Sequence, residues 1–187
     1  MSYLCLPDDL KDARQRANLV ARGQGMFAQT FDREIAASAA SLVAGSVYYV
    51  GVPLLAGDVV TTIYVSVTTA ATVASLSKVG LYDKLGNRLA LSADLGAAWQ
   101  TVGTIGGAMI APYGVSVSGL YYLAVVSNAA GLPAMIRGAP GGNGAGVTAI
   151  GSNPIPYAVQ LAQVDLPATG TIAASAVVPL PIWMGIS

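Results

Sequence analysis

Between Leu89 and Ser187 this chain carries three charged side chains, Asp94, Arg137 and Asp165. A free subunit normally spreads many charges over its surface to stay in solution. So long a charge-poor stretch therefore calls for one of two explanations. Either lipid surrounds it, or partner proteins cover most of its surface. The lipid explanation needs a run of roughly 18 or more apolar residues. None exists, and runs such as Val115–Val126 are broken by Ser116, Ser118 and Gly119. A surface of Ser, Thr, Gly, Ala and apolar residues fits a subunit embedded in an assembly. A neutral Ser/Thr-rich surface without a partner is the competing, plainer explanation.

The remaining charge is concentrated at the start. Ten of the 18 charged residues lie in Met1–Glu34, and net charge is zero. Neutrality argues against nucleic acid, because phosphate binding needs clustered Lys and Arg. A secretory leader needs an apolar centre near the N-terminus. Here that region holds Asp8, Asp9, Lys11, Asp12, Arg14, Arg16 and Arg22. The expectation is a soluble chain made in a cytoplasm, without a cleaved leader and without a membrane partner. The single Cys5 allows no internal disulfide and reads as a small buried thiol beside Tyr3, Leu4 and Leu6.

Two regions follow from the vocabulary. Residues 1–34 read as an N-terminal helical arm. Pro7-Asp8-Asp9 starts a helix, with acids in its first turn. Leu10, Ala13, Ala17, Val20 and Ala21 recur at helical spacing, Lys11, Arg14 and Arg16 take other faces, and Gly23 and Gly25 end it. The apolar stripe is too narrow to stand alone, so the arm must dock. Phe27 and Phe31 follow it. Residues 35–187 read as an all-β domain, a β-sandwich of jelly-roll type, rich in Val, Thr, Tyr, Ser and Gly. Strands are predicted at about 46–52, 58–68, 76–83, 87–92, 98–105, 113–117, 119–127, 132–137, 156–164 and 171–184. In the second of these, Val59, Thr61, Ile63, Val65 and Val67 are expected to face the core. Lys84-Leu85-Gly86-Asn87 reads as a hairpin turn. Residues 138–154 form a Gly-rich loop of uncommon length. The tail Pro179-Leu180-Pro181-Ile182-Trp183-Met184 is apolar and should be docked.

Catalytic chemistry finds little support. The chain has no His, which removes the commonest general base and metal ligand, and one Cys rules out a thiolate metal site. No cofactor or metal is implied. Asp58, Asp83, Asp94 and Asp165 are scattered through the body. Asp83 and Asp94 could approach across a hairpin, as a glycosidase pair would require. The plainer reading makes Asp58 and Asp83 turn residues that accept bonds from backbone amides. Gly141-Gly142-Asn143-Gly144 lacks the Lys-Ser/Thr of a phosphate loop. The adjacent pairs Tyr48-Tyr49 and Tyr121-Tyr122 should each turn one ring inward and one outward. Trp99 and Trp183 read as core or interface anchors rather than sugar platforms.

Several stretches together carry a resemblance. They are Gly57-Asp58-Val59-Val60-Thr61-Thr62-Ile63, Val79-Gly80-Leu81-Tyr82-Asp83 with Gly86-Asn87-Arg88-Leu89-Ala90, Ala97-Ala98-Trp99, and Ser118-Gly119-Leu120-Tyr121-Tyr122-Leu123-Ala124. In this order they resemble a β-sandwich module of virion proteins of tailed bacteriophages, including those of actinobacterial hosts. The resemblance spans about residues 45–128. It implies a non-catalytic virion protein, on the head surface, a tail tip or a tail fibre. The chain has no heptads, collagen-like repeat or long shaft, which a fibre uses for reach. The expectation is thus a capsid decoration protein on the outer head surface. Its partners would be the major capsid protein and sister copies, as a homotrimer. Its interface would be carried by Leu10, Arg14, Val20, Phe27, Phe31, Trp183 and Met184. The alternative is a minor tail protein that binds a host-surface glycan. The largest contact area is expected in the charge-poor C-terminal half.

Overall fold

A computed structural model describes residues 25–31, 33, 36, 38–137, 157–172 and 181–187. The helix expected between Pro7 and Gly23, Cys5 and the Gly-rich loop 138–154 lie outside the described residues. The strands are β1 (Ala28–Gln29), β2 (Ser38–Ser41), β3 (Val47–Leu54), β4 (Val59–Thr69), β5 (Ser77–Tyr82), β6 (Arg88–Leu91), β7 (Gly103–Gly114), β8 (Gly119–Ser127), β9 (Ala134–Arg137), β10 (Tyr157–Gln160) and β11 (Met184–Ile186). They form two antiparallel sheets, and the fold is an all-β sandwich. One sheet runs β10-β3-β8-β5-β6. In the other, β4 is central, with β7 along one side and both β11 and β9 along the other, continued outward by β1 and β2 respectively.

The β-branched and aromatic runs of β3, β4, β5 and β8 became strands as their composition requires. The predicted turn after β5 is present. Asp83 organises it, its Oδ1 accepting from Leu85 N (2.8 Å) and Asn87 N (2.9 Å) and its Oδ2 from Asn87 Nδ2 (2.8 Å). Gly86 sits at φ +90°, in the left-handed region that favours glycine.

Along β4 the expected alternation is broken. Val59 is half exposed, at 50%, whereas Val60 is fully buried, at 0%. The cause is a bulge: Val60 pairs with Tyr113, but Thr62 pairs with Ala108. One residue of β4 thus stands against four of β7, and the inward set changes from even to odd numbers across Thr61. Val60 faces in before the bulge, and Ile63, Val65 and Val67 face in after it. On the opposite, β11 side of β4, the Ser187 carbonyl holds the bulge, accepting from Thr61 N (2.8 Å), Thr62 N (2.9 Å) and Thr61 Oγ1 (2.8 Å). On its own side of the bulge, β7 leans toward the other sheet, where Met109 bridges Ser92. The segment predicted as two strands is therefore one long, bent strand. It follows a short 3-10 turn, Ala98–Gln100, that buries Trp99.

Three apolar layers result. The central one lies between the sheets and includes Tyr48, Val50, Val52, Ile63, Val65, Leu81, Trp99, Tyr121, Leu123 and Met184. A second lies on the outer face of the β3-β8-β5 sheet. There Tyr49, Tyr82, Tyr122, Ala124 and Val126 meet Ala158, Leu166 and Ile172. A third, smaller layer lies on the outer face of the β4 sheet, where Met26 and Trp183 pack with Phe31, Tyr64 and Ile136. The chain thus packs its own segments on both outer faces, Leu166 and Ile172 on one and Met26 and Trp183 on the other. Residues 26–31 belong to this covering, so the sandwich begins inside the segment assigned to the arm. Phe27 N and Thr30 N donate to Ile186 O and Met184 O, each at 2.9 Å.

Candidate contact surface

Among the described residues each carboxylate bonds its own loop. Asp58 caps the turn before β4, accepting from Leu55 N at 2.8 Å. Asp94 Oδ1 accepts from Ser77 N and Gly96 N, each at 2.9 Å. Asp165 accepts from Leu166 N and meets Lys78 Nζ, each at 2.6 Å. Each supports a local turn, as small acidic side chains do. Asp83 and Asp94 serve separate loops. Among the described residues no three His, Cys, Asp or Glu side chains could hold a metal ion. Among them, too, no helix is long and apolar enough to cross a membrane.

The expected interface residues separate into three groups. Leu10, Arg14 and Val20 lie outside the described residues. Trp183 and Met184 are both fully buried within the chain's own fold. Trp183 donates from Nε1 to Gln29 Oε1 at 3.2 Å, and the Arg33 guanidinium lies over its ring at 5.4 Å. Phe27 and Phe31 are half-buried against the central and outer layers. The apolar tail is thus docked, and its dock is the chain itself. Sequence pattern offered no sign of this, because the pairing of Gln29 with Gly185 joins opposite ends of the chain.

The paired tyrosines also depart from expectation. Tyr48, Tyr49, Tyr121 and Tyr122 are all buried. One ring of each pair faces the central layer, as expected. The other faces outward but is roofed by Leu166 and Ile172. Desolvation pushes the phenols of Tyr49 and Tyr122 up to about 12. It raises Tyr82 further, with the neighbouring Tyr49 adding to the effect. These rings offer no platform for a sugar.

A groove of about 230 Å³ runs between β6 and the bent part of β7, lined by Arg88, Leu89, Ala90, Leu91, Ile110 and Ala111. It is open and mostly apolar, with Arg88 its one charged lining residue.

A different surface stands out at one end of the sandwich. The antiparallel registers bring the end of β2, the starts of β3, β5 and β7, and the ends of β4, β8 and β10 to this end. Five connecting segments converge there: 42–46, 70–76, 97–102, 128–133 and 161–164. These five stretches hold no charged residue, and the charges at this end are the exposed Asp94, whose Oδ1 accepts from Ser77 N at the start of β5, and Asp165, which is paired with Lys78. Val43, Val73, Val102, Leu161 and Val164 are 52–83% exposed on them.

Hydrogen bonds lace these segments into one body. Asn128 accepts at Oδ1 from Gly45 N (2.7 Å) and donates from Nδ2 to Val164 O (2.6 Å). Gln163 N donates to Gly45 O at 2.8 Å. On the other side, Thr72 N donates to Gly131 O (3.0 Å) and Thr72 Oγ1 to Ala130 O (2.9 Å). Ala71 N reaches Trp99 O at 2.9 Å. Gly131, at φ +59°, would place a Cβ 2.1 Å from Thr72 Oγ1, so that contact requires glycine. The opposite end differs, with Asp58, Asp83 and Lys84 in its turns.

No family model matches the sequence, and no curated protein matches it.

Proposed function

We propose that this chain is a non-enzymatic virion structural protein of a tailed bacteriophage, a decoration protein on the outer head surface that stabilises the shell. The observation that carries the reading is the charge-poor, hydrogen-bonded loop end of the sandwich, with Val43, Val73, Val102, Leu161 and Val164 exposed on it. A surface of this kind is suited to permanent contact with protein. The resemblance of residues 45–128 to phage virion modules points the same way. On this reading the N-terminal arm engages the major capsid protein, and sister copies associate, as a homotrimer. The protein then resides in the virion after assembly in the host cytoplasm. The alternative, a tail protein gripping glycan through exposed aromatics, has weaker support, because the paired tyrosines are buried.

A cryo-EM map of intact particles tests the reading. Density for this chain repeated over the capsid lattice is the expected result. Density confined to the tail, or a handful of copies per particle on a virion protein gel, overturns it.

A further inference from the structure

We infer that the N-terminal arm, residues 8–22, packs on its own sandwich, against the outer face of β4 and β7. The inference concerns the arm's apolar side and stands apart from the virion reading, which needs only that another side of the arm be left for the capsid.

The outer face of the β4 sheet is half covered. Met26 and Trp183 pack there with Phe31, Tyr64 and Ile136, a layer that takes in no residue of β7. Beside it, β7 presents Thr104, Gly106 and Ala108, each exposed, across from Ser66, Tyr64 and Thr62 of β4. All six lie on one face: a Cβ on Gly106 would stand 2.9 Å from the Tyr64 ring and 3.0 Å from Thr62. None of the six is charged. A face left to water would ordinarily carry charged side chains. Arg33 reaches its edge, but that guanidinium bonds Thr104 Oγ1 (2.9 Å) and Ser66 Oγ (3.2 Å) and lies over Trp183.

The occupant follows from where the chain leads. Phe27 N donates to Ile186 O, and Met26 sits on Gly185, at the outer face itself. Gly25 precedes them, exposed and at φ +77°. Glycine in this conformation ends helices and reverses the chain. From β1 to β7 the order is β1-β11-β4-β7, three strand spacings, or about 14 Å. Residues 22–25 can span about 14 Å. A helix over residues 8–22 measures about 22 Å, and Gly103–Ala108 runs about 20 Å. The tether therefore delivers the arm to this face, at the right length.

The two surfaces also suit each other. Leu10, Ala13, Ala17, Val20 and Ala21 make a narrow, mostly small stripe that needs a dock. Glycine, alanine and threonine on the sheet let such a helix come close. Lys11, Arg14 and Arg16 then turn toward solvent and keep their hydration, and they remain for the capsid protein. Tethering favours the chain's own arm over a sister copy's, because a short linker holds it at an effective concentration of the order of millimolar.

Disulfide trapping in the full chain tests this, with Cys5→Ser removing the native thiol. Val20→Cys with Ala108→Cys should form an intramolecular disulfide under mild oxidation, in a yield independent of protein concentration. Val20→Cys with Leu85→Cys, on a turn of the other sheet, should not. Melting gives a second readout. Val20→Asp and Ala108→Asp should each lower the melting temperature by about 2–4 °C, and the double variant should fall no further than the lower single one, since both break one contact. Circular dichroism establishes that each variant is folded. A disulfide-linked dimer overturns the inference in favour of a sister copy's arm. No disulfide at Ala108, or melting losses that simply add, overturns it in favour of a different protein on this face. Normal head decoration by a chain that fails these tests leaves the virion reading standing. A chain that passes them but never binds heads overturns the virion reading and leaves the docked arm.

Discussion

The rings of Tyr49 and Tyr82 meet edge to face, with centroids 5.2 Å apart and planes at 89°. Both lie on the outer face of their sheet, where a half-solvated sandwich would place polar side chains. Here the segment after β10, through Leu166 and Ile172, forms a roof over them. Tyr82 Oη donates to Pro167 O at 2.7 Å, and Tyr49 Oη donates to Gln160 Oε1 at 3.1 Å. Each phenol thus ties the sheet to the strand or strap beside it while its ring fills the layer.

The two hydroxyls should not count equally. Tyr82→Phe leaves the Pro167 carbonyl without its donor, at a cost of about 1–3 kcal/mol. Tyr49→Phe should cost less, about 1 kcal/mol, because Gln160 Oε1 keeps the Thr171 amide at 3.0 Å. Urea midpoints of the two variants check the order. Equal losses would contradict this account of the roof.

Alkaline pH should loosen the same layer. In the unfolded chain a tyrosine loses its proton near pH 10. Folded Tyr49 and Tyr122 hold theirs to about 12, chiefly through desolvation, and Tyr82 longer. Between these limits the folded state binds more protons than the unfolded one, so stability falls as pH rises. The contribution is complete below pH 10 and is lost as pH climbs toward 12. Urea midpoints across this range, followed with phenolate absorbance, should decline, and Tyr122→Phe should make the decline shallower. A flat profile would refute the assignment.

How much of this was readable in advance depended on range. Strands β3, β4, β5 and β8 announce themselves through dense Val, Thr and Tyr, and Asp83 with Gly86 marks its own turn. Strands β1 and β2 do not, because Ala28–Gln29 and Ser38–Ser41 are short and hold no β-branched residue. They exist because of partners more than 90 residues away in sequence. Long β7 read as two strands because Gly106, Gly107 and Pro112 interrupt its pattern. The outward tyrosines were misjudged for a related reason. Period-two reasoning assigns a side chain to a face but says nothing of what later chain will cover that face. The charge deficit was plain from the start. Its explanation is now divided: much apolar surface of the C-terminal half is spent on the chain's own faces, through Leu166, Ile172 and Ile182–Ile186. The charge-poor loop end remains for contact, and its assembly relied on hydrogen bonds between residues as far apart as Gly45 and Asn128.

The boundary between arm and sandwich can be tested by truncation. Removing residues 1–34 takes away β1 and the buried side chains of Met26 and Ala28. Removing residues 1–24 spares them. Loss of a buried Met alone costs about 2–5 kcal/mol, and each kcal/mol moves the melting temperature of a chain this size by about 2–4 °C. The longer truncation should therefore melt on the order of 10 °C below the shorter one. Equal melting temperatures would place the boundary at residue 34 after all. Head-binding assays should accordingly use the shorter truncation, since the longer one confounds attachment with folding.

The bulge at Thr61 yields the sharpest contrast, since it inverts two adjacent valines. Simple alternation assigns Val59 to the core and Val60 to solvent. The register shift assigns them the other way, and the burial of Val60 against the half exposure of Val59 follows from it. Val60→Ala removes two buried methyl groups, at about 0.8 kcal/mol each, and leaves a cavity, for a loss of roughly 2 kcal/mol. Val59→Ala should stay within about 0.5 kcal/mol of wild type, as exposed substitutions do. The pair shares a backbone neighbourhood and a chemical change, so propensity effects cancel and the difference reports on facing alone. Thermal or urea unfolding of both variants decides it. If Val59→Ala proved the costlier, the bulge would have to lie elsewhere along β4, and the role of the Ser187 carbonyl in holding it would fall with it.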